Sequence, residues 1–360
     1  MAVIAFTGGG SAGHVIPGLA VLEEVRARTG FTAVWIGSRH GIERTILADM
    51  APEVEYCSVP VGKLRRYLSI RNVIDAATVP FGVLAAMWHL LRSRPVALFS
   101  KGGFVSVPPV IAAWLLGIPV ITHESDVDPG LATRINARFA RYICVPYENT
   151  ASAFPARHAR RVVVTGNPVR RDLSGADRDE ADRRFSLDPG QPLLLVLGGS
   201  IGSAFINQMV DEQLANLCRL ATVVHHRGAG HPAPSEHSDY IWAEFFTDDY
   251  VHLLARADLV VARAGAGTVW ELAWTGTPAV LIPLGSGSSR GDQLRNAELY
   301  ARGGGAVVAE EDELTSDRFF DLVAGLLDNK DRRDEMSEAA LRFAGRGAAS
   351  RIADLLSELT

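Results

Sequence analysis

Short apolar runs alternate with helix-length segments from one end of this 360-residue chain to the other. Runs suited to buried strands fall at 3–6, 33–36, 55–59, 97–100, 120–122, 142–145 and 162–165 in the first half. The second half has them at 193–197, 221–225, 241–245, 259–262, 279–282 and 306–308. Strands separated by helices pair in parallel, and a parallel sheet needs helices on both faces, so few architectures remain. The order also repeats. VIAF (3–6) leads into GGGSAG (8–13) and LVL (195–197) into GGSIG (198–202), so each half opens with strand, glycine loop and helix. The expected fold is α/β, with two Rossmann-like parallel-sheet domains meeting across a cleft. Residues 1–165 form the first and 166–341 the second, with the turn TGNP (165–168) at the boundary. A helix is expected over 174–184. A last helix around 340–359 has no strand to serve, and residues 342–360 are expected to pack back on the first domain.

The stretch ADLVVARAGAGTVWELAWTGTPAVLIPLGSGSSRGDQLRNA (257–297) carries the clearest chemistry. A strand, a small-residue turn and a helix spanning about 268–274 direct free backbone N–H groups and a positive dipole end at one spot, which suits an anion. Glu271 lies one turn into that helix, where a carboxylate can accept hydrogen bonds from paired ribose hydroxyls. The next strand, 278–283, delivers a loop and then Asp292, Gln293 and Asn296 at the start of another helix. A diphosphate, a ribose and a second polyol would be served together, the outline of a nucleotide sugar. The competing reading is an ordinary αβ unit with an Ala/Gly turn.

The first glycine loop fits G-x-G-x-x-G through Gly8, Gly10 and Gly13, but its dinucleotide reading needs an acidic residue ending the next strand. That strand ends IGS (36–38), so NAD and FAD are set aside. The loop runs instead into His14, whose ordinary pKa suits a general base near neutrality; a histidine that merely positions the helix start is the alternative. KGGFVSVP (101–108) is again glycine-rich and lets backbone approach a ligand. HESD (123–126) sets a histidine and two acids at a strand's C-terminal end, where open α/β sheets bind ligands. One such cluster supplies no second ligand set, so no metal is expected. Arg170, in GNPVRR (166–171), offers a guanidinium to phosphate or to a surface salt bridge.

A helix is expected over 75–91, with Val79, Leu84 and Met87 available to a core and Phe81 and Trp88 widening the stripe. Lys63, Arg65, Arg66 and Arg71 precede it. A basic cluster beside an aromatic-bearing amphipathic helix suits an anionic lipid surface, with Trp114 a further contact; a core helix with solvated arginines is the alternative. The net charge of −5 argues against nucleic acid. Cys57, Cys144 and Cys218 have no metal or disulfide spacing, and the sequence opens on a strand with no leader, so a cytoplasmic setting is expected. No run of about 18 uncharged apolar residues suggests a membrane span.

Taken together, GGGSAGHVIPGLAV (8–21), SKGGFVSVPPVIAA (100–113), HESDVDPGLATR (123–134), GNPVR (166–170), GGSIGSAFIN (198–207), RAGAGTVWEL (263–272) and GDQLRNA (291–297) resemble the MurG family, the UDP-N-acetylglucosamine-dependent transferases of bacterial cell-wall synthesis. The stretches stand in family order over nearly the whole length. The resemblance implies a GT-B fold, with the first domain taking a lipid-linked acceptor and the second the nucleotide sugar. It implies an inverting transfer of GlcNAc from UDP-GlcNAc to the C4 hydroxyl of MurNAc-pentapeptide on undecaprenyl diphosphate (lipid I to lipid II), with no cofactor. The setting it implies is the inner face of the cell membrane, held peripherally, with a cell-wall synthesis complex as a further partner. Carried over by position, Ser11, Ala12, Gly13, His14 and Phe104 lie at the sugar and acceptor. Glu124 and Asp126 join them, the acids being rival bases to His14. Arg170, Ser200 and Ala266, Gly267 and Thr268 hold UDP, Thr247 contacts the base, Glu271 meets the ribose, and Asp292, Gln293 and Asn296 serve the donor sugar. Three stretches depart from the usual pattern. T-G-G-H reads Ser11-Ala12-Gly13-His14, H-E-Q-N reads His123-Glu124-Ser125-Asp126, and Gln-Gln or His-Gln reads Asp292-Gln293. A related transferase with another lipid-phosphate or natural-product acceptor, or a self-resistance copy, is the alternative.

Overall fold

Strands buried on both faces can be apolar without alternation. LLLVL at 193–197 and LVVA at 259–262 are buried at every residue. The structure, a computed structural model, describes residues 2–62, 70–199, 202–231, 236–247, 249–285 and 291–359, of which 29 and 70–76 are described by backbone alone. The chain divides into two compact units, Met1–Arg170 with Gly345–Thr360, and Arg171–Ala344.

The first unit runs β1 (Val3–Thr7), α1 (Ala12–Thr29), β2 (Thr32–Ser38), α2 (Ile42–Met50), β3 (Glu55–Val59), α3 (Ile70–Ser93), β4 (Ala97–Ser100), α4 (Val107–Leu115), β5 (Val120–His123), α5 (Leu131–Asn136), β6 (Tyr142–Val145), α6 (Glu148–Ser152) and β7 (Val162–Val164). The second runs α7 (Arg178–Phe185), β8 (Leu193–Leu197), α8 (Ala204–Leu217), β9 (Thr222–His226), β10 (Tyr240–Ala243), α9 (Tyr250–Arg256), β11 (Leu259–Ala262), α10 (Ala266–Thr275), β12 (Ala279–Leu281), α11 (Asp292–Arg302), β13 (Ala306–Val308), α12 (Ser316–Asp328) and α13 (Lys330–Phe343); α14 (Ala348–Ser357) returns to the first unit. All thirteen expected strands form, in two parallel sheets ordered β3-β2-β1-β4-β5-β6-β7 and β10-β9-β8-β11-β12-β13. This two-sheet α/β arrangement is the GT-B fold class.

Side chains alternate across a strand, so the first sheet feeds two cores. Ile4, Phe6 and Trp35 join α1 and α14 on one face; Ala5, Val34 and Ile36 join α3 and α4 on the other. In the second unit Leu194 and Val196 pack with Ile206, Val210, Phe319 and Val323.

Several expectations need correction. Residues 171–175 form a 3-10 turn, and the helix begins only at Arg178, because the Asp177 carboxylate accepts from Asp179 N (3.0 Å) and caps it there. The C-terminal helix is two helices, broken where Gly345-Arg346-Gly347 takes Gly347 to φ 89°. Leu84 does not serve the core: it is 63% exposed, because α3 turns Gly82, Ala86 and Leu90 inward. Gly82 allows that approach, since a Cβ there would lie 2.2 Å from the Pro60 carbonyl oxygen. Residues 166–170 stay with the first unit, where Gly166 O meets His123 Nε2 (2.9 Å) and Asn167 Oδ1 accepts from Ser125 Oγ (3.0 Å). Helix α10 begins at Ala266, two residues before the expected start.

Candidate active site

An open parallel sheet binds ligands beyond its strand ends at the point where the strand order reverses, because neighbouring connections leave there toward opposite faces. In the first sheet that point lies between β1 and β4, and the residues leaving them are GGGS (8–11) and KGGF (101–104). In the second, β8 and β11 flank it, followed by Gly198-Gly199 and RAGAG (263–267). The glycine-rich stretches singled out in the sequence are thus the four segments that topology delivers to the two switch points.

Ser11 is the N-cap of α1, yet its hydroxyl makes no cap bond. It lies instead 2.7 Å from His14 Nδ1. A hydroxyl that would ordinarily accept a helix N–H is given over to orienting the imidazole. Ala12 and Gly13 open the helix between them. Two glycines allow the loops to close on His14. Gly10 has φ 84°, and a Cβ there would lie 2.6 Å from the Phe104 ring. Gly103 has φ 75°, and a Cβ would lie 2.3 Å from Gly9 O and 3.2 Å from His14 Cδ2. Ser11, His14 and Phe104 therefore gather around backbone that tolerates no side chains.

Glu43 went unnoticed in the sequence. It is fully buried, and its carboxylate accepts from Gly10 N (3.1 Å), Ser38 N (2.9 Å) and Ser38 Oγ, bracing the glycine loop from beneath. Glu124 is also committed: Ser125 N (2.8 Å), Asp126 N (3.1 Å) and Gly130 N (2.9 Å) all donate to it. Asp126, half-buried, sits on the turn this carboxylate shapes, and Arg170, also half-buried, ends the first unit.

In the second unit Gly265 caps α10 without a side chain, leaving Ala266, Gly267 and Thr268 in the first turn. Glu271 follows on the same helix, and Tyr250 OH donates to its Oε2 (2.7 Å), a partner 21 residues away that the sequence reading missed. Asp292 and Gln293 begin α11; Gln293 Oε1 accepts from Leu284 N (3.0 Å), and Asp292 pairs with Arg295 at 3.3 Å. Asn296 is buried and donates weakly to Ala264 O (3.4 Å), so it ties α11 to the end of β11. Thr247 is exposed beyond β10. Arg263, another residue the sequence left unassigned, donates to Ile282 O (3.1 Å), Pro283 O (3.2 Å), Glu311 (2.7 Å) and Ser203 Oγ (2.8 Å), joining β11, β12 and the start of α8. Ser200, Lys63, Arg65, Arg66 and the Arg71 side chain lie outside the described residues. Among the described residues no group of three or more His, Cys, Asp or Glu forms a metal cluster.

Residues 4–145 match the glycosyltransferase family 28 N-terminal domain, and residues 193–356 the glycosyltransferase family 28 C-terminal domain. Over an alignment of 381 residues the chain is 40% identical to the UDP-N-acetylglucosamine--N-acetylmuramyl-(pentapeptide) pyrophosphoryl-undecaprenol N-acetylglucosamine transferase of Treponema denticola, covering 99% of this chain and 97% of that one. This chain belongs to the MurG family. A relative of the same name from Staphylococcus carnosus is 40% identical over 331 residues, 92% of this chain and 90% of its own. The crystal structure of Acinetobacter baumannii MurG superposes with a TM-score of 0.74 at 25% identity, covering 99% of this chain and 100% of that one.

Proposed function

We propose that this MurG-family glycosyltransferase moves GlcNAc from UDP-GlcNAc to the C4 hydroxyl of lipid I, giving lipid II in peptidoglycan synthesis, with inversion at the anomeric carbon. The observation that carries this is identity of about 40% over nearly full length to transferases bearing that name. None of the relatives reported above names another acceptor, so a different acceptor is not favoured. In this reading the first unit, Met1–Arg170 with Gly345–Thr360, takes the acceptor and the second, Arg171–Ala344, the donor, and UDP-GlcNAc enters as substrate with no further cofactor.

In this reading the donor diphosphate meets the start of α10 at Ala266, Gly267 and Thr268, whose N–H groups and dipole offset the charge gathering on UDP as it leaves; by the family resemblance Ser200 and the Arg170 guanidinium serve the same diphosphate. Glu271, steadied by Tyr250, accepts from the ribose hydroxyls; Thr247 contacts the base; Asp292 and Gln293 receive the sugar, with Asn296 holding their helix in place. Ser11, Ala12, Gly13, Phe104 and Asp126 receive the acceptor.

His14 is the base. When its Nδ1 proton is donated to Ser11 Oγ, the lone pair stands on Nε2, which can take the proton of the attacking hydroxyl. Glu124 is the weaker candidate, since three backbone amides already hold its carboxylate in a shaping role. The protein is read as resting on the anionic inner face of the membrane, where its acceptor is anchored; no described helix is long and apolar enough to cross it.

The deciding experiment is an assay with labelled UDP-GlcNAc and a soluble lipid I analogue, beside UDP-GalNAc and UDP-glucose. We expect transfer from UDP-GlcNAc, and His14→Ala should lower kcat by roughly 100-fold or more at saturating substrates. Absence of transfer to the analogue overturns the acceptor. Near-normal kcat in His14→Ala, with loss in Asp126→Ala, overturns the base alone.

A further inference from the structure

A lysine is almost never fully buried unless its charge is matched. Lys101, the first residue after β4, is 1% exposed. Its Nζ donates to Ser125 Oγ, and that hydroxyl donates to Asn167 Oδ1 (3.0 Å), itself 2% exposed. One ammonium thereby reaches three strand-end segments of the first unit: its own glycine turn, the turn after β5, and the stretch after β7. Burial outweighs the opposing pull of Glu124 and, next in strength, Asp126, and leaves the lysine lowered to about 8. Glu124 is already held by three amides. Asp126 supplies a negative charge where the family pattern usually has an uncharged asparagine, and Ser125 stands where that pattern has glutamine.

We propose that Lys101 is a positioning residue for the acceptor turn, a buried counter-charge that fixes Ser125 by hydrogen bond and offsets the carboxylate of Asp126 beside it. This rests on the reading of residues 123–126 as acceptor-binding. The lysine, the short serine and the aspartate work as one set. Serine leaves room for the ammonium beneath the turn, and the ammonium makes a carboxylate tolerable at 126. Lys101 acts through Ser125, which it holds, and through Asp126, whose charge it offsets.

A double-mutant cycle tests this. Lys101→Met should raise the acceptor KM roughly tenfold, and Lys101→Gln, which keeps a donor for Ser125 but no charge, should raise it comparably. Adding Asp126→Asn to either should recover most of the loss, because the carboxylate that needed the counter-charge is gone. The donor KM should move much less. A purely space-filling lysine would give no rescue by an isosteric change at a different residue. Unchanged acceptor KM in both Lys101 variants overturns the proposal. If both variants are too unstable to assay, thermal melts replace KM as the readout, and failure of Asp126→Asn to restore the melt likewise overturns it. Loss of the underlying acceptor reading would show separately, as unmodified enzyme that transfers nothing to the lipid I analogue.

Discussion

His225 carries no charge inside the second unit at neutral pH. Burial first, then the charges of Arg227, His226 and His231, pull its pKa from 6.5 down to about 3. Its ring nitrogens meet Tyr240 OH (2.9 Å) and Asn207 Oδ1 (3.0 Å). As pH falls through 6.5 the unfolded chain binds a proton that the folded chain refuses until about 3, so this residue destabilises the fold progressively across that window. The slope is at most about 1.4 kcal/mol per pH unit. Urea unfolding from about pH 7 to about pH 4.5 should show wild type losing more stability than His225→Gln, which keeps polar partners but does not titrate. Parallel slopes in the two proteins would remove His225 as the source. At this scale the sequence was legible where chemistry is local: the glycines, His14 beside Ser11, and Glu271 on the first turns of its helix. It was silent where a bond joins distant positions. Glu43 reaches Gly10 across 33 residues, Tyr250 reaches Glu271 across 21, and Arg263 reaches Ser203 across 60. Nothing in the spacing of a lone glutamate or arginine marks it as a brace.

Among the elements, α3 shows how a stripe can mislead. Leu84 reads as available to a core beside Val79 and Met87, yet it is exposed together with Phe81, Trp88 and Leu91, all four at 59–67%, while Ala86 and Leu90 are buried. The helix is apolar on two sides, and periodicity alone does not say which meets protein. The outward row follows helical spacing, α3 packs on α4, and α4 ends in exposed Trp114 and Leu115, with Trp114 against Phe139 at 5.1 Å. Exposed Arg138 and Arg141 stand on either side of that ring's segment. An exposed apolar face of this kind suits a docking surface, and in the proposed reading its occupant is the bilayer that anchors the acceptor. In flotation with vesicles containing anionic lipid, Phe81→Ser/Trp88→Ser should reduce the bound fraction severalfold, with little change in melting temperature because both side chains are already exposed. Equal flotation of the double variant would move the membrane contact elsewhere.

Across the whole molecule, chain order and packing part company at the C-terminus. Helix α13 belongs to the second unit, and after the break at 345–347 the chain returns to the first. There Ile352, Ala353 and Leu356 are buried in the same core as Ile4, Phe6 and Trp35, and Arg351 Nε donates to Thr165 O (3.1 Å) while Ser350 Oγ donates to Glu24 (2.8 Å). The first unit is therefore completed by residues that follow the second unit in the chain. Burying the Ile352 and Leu356 side chains contributes roughly 3–6 kcal/mol at the upper estimate, a large share of the stability of a domain this size. Truncation after Ala344 should accordingly loosen α1, β1 and β2, seen as faster amide hydrogen exchange in those elements. Exchange in α8 and α12, whose core draws nothing from α14, should hardly change. Equal acceleration in both units would mean that α14 stabilises more than the core it enters. Unaltered exchange in α1 would mean that the sheet closes without it.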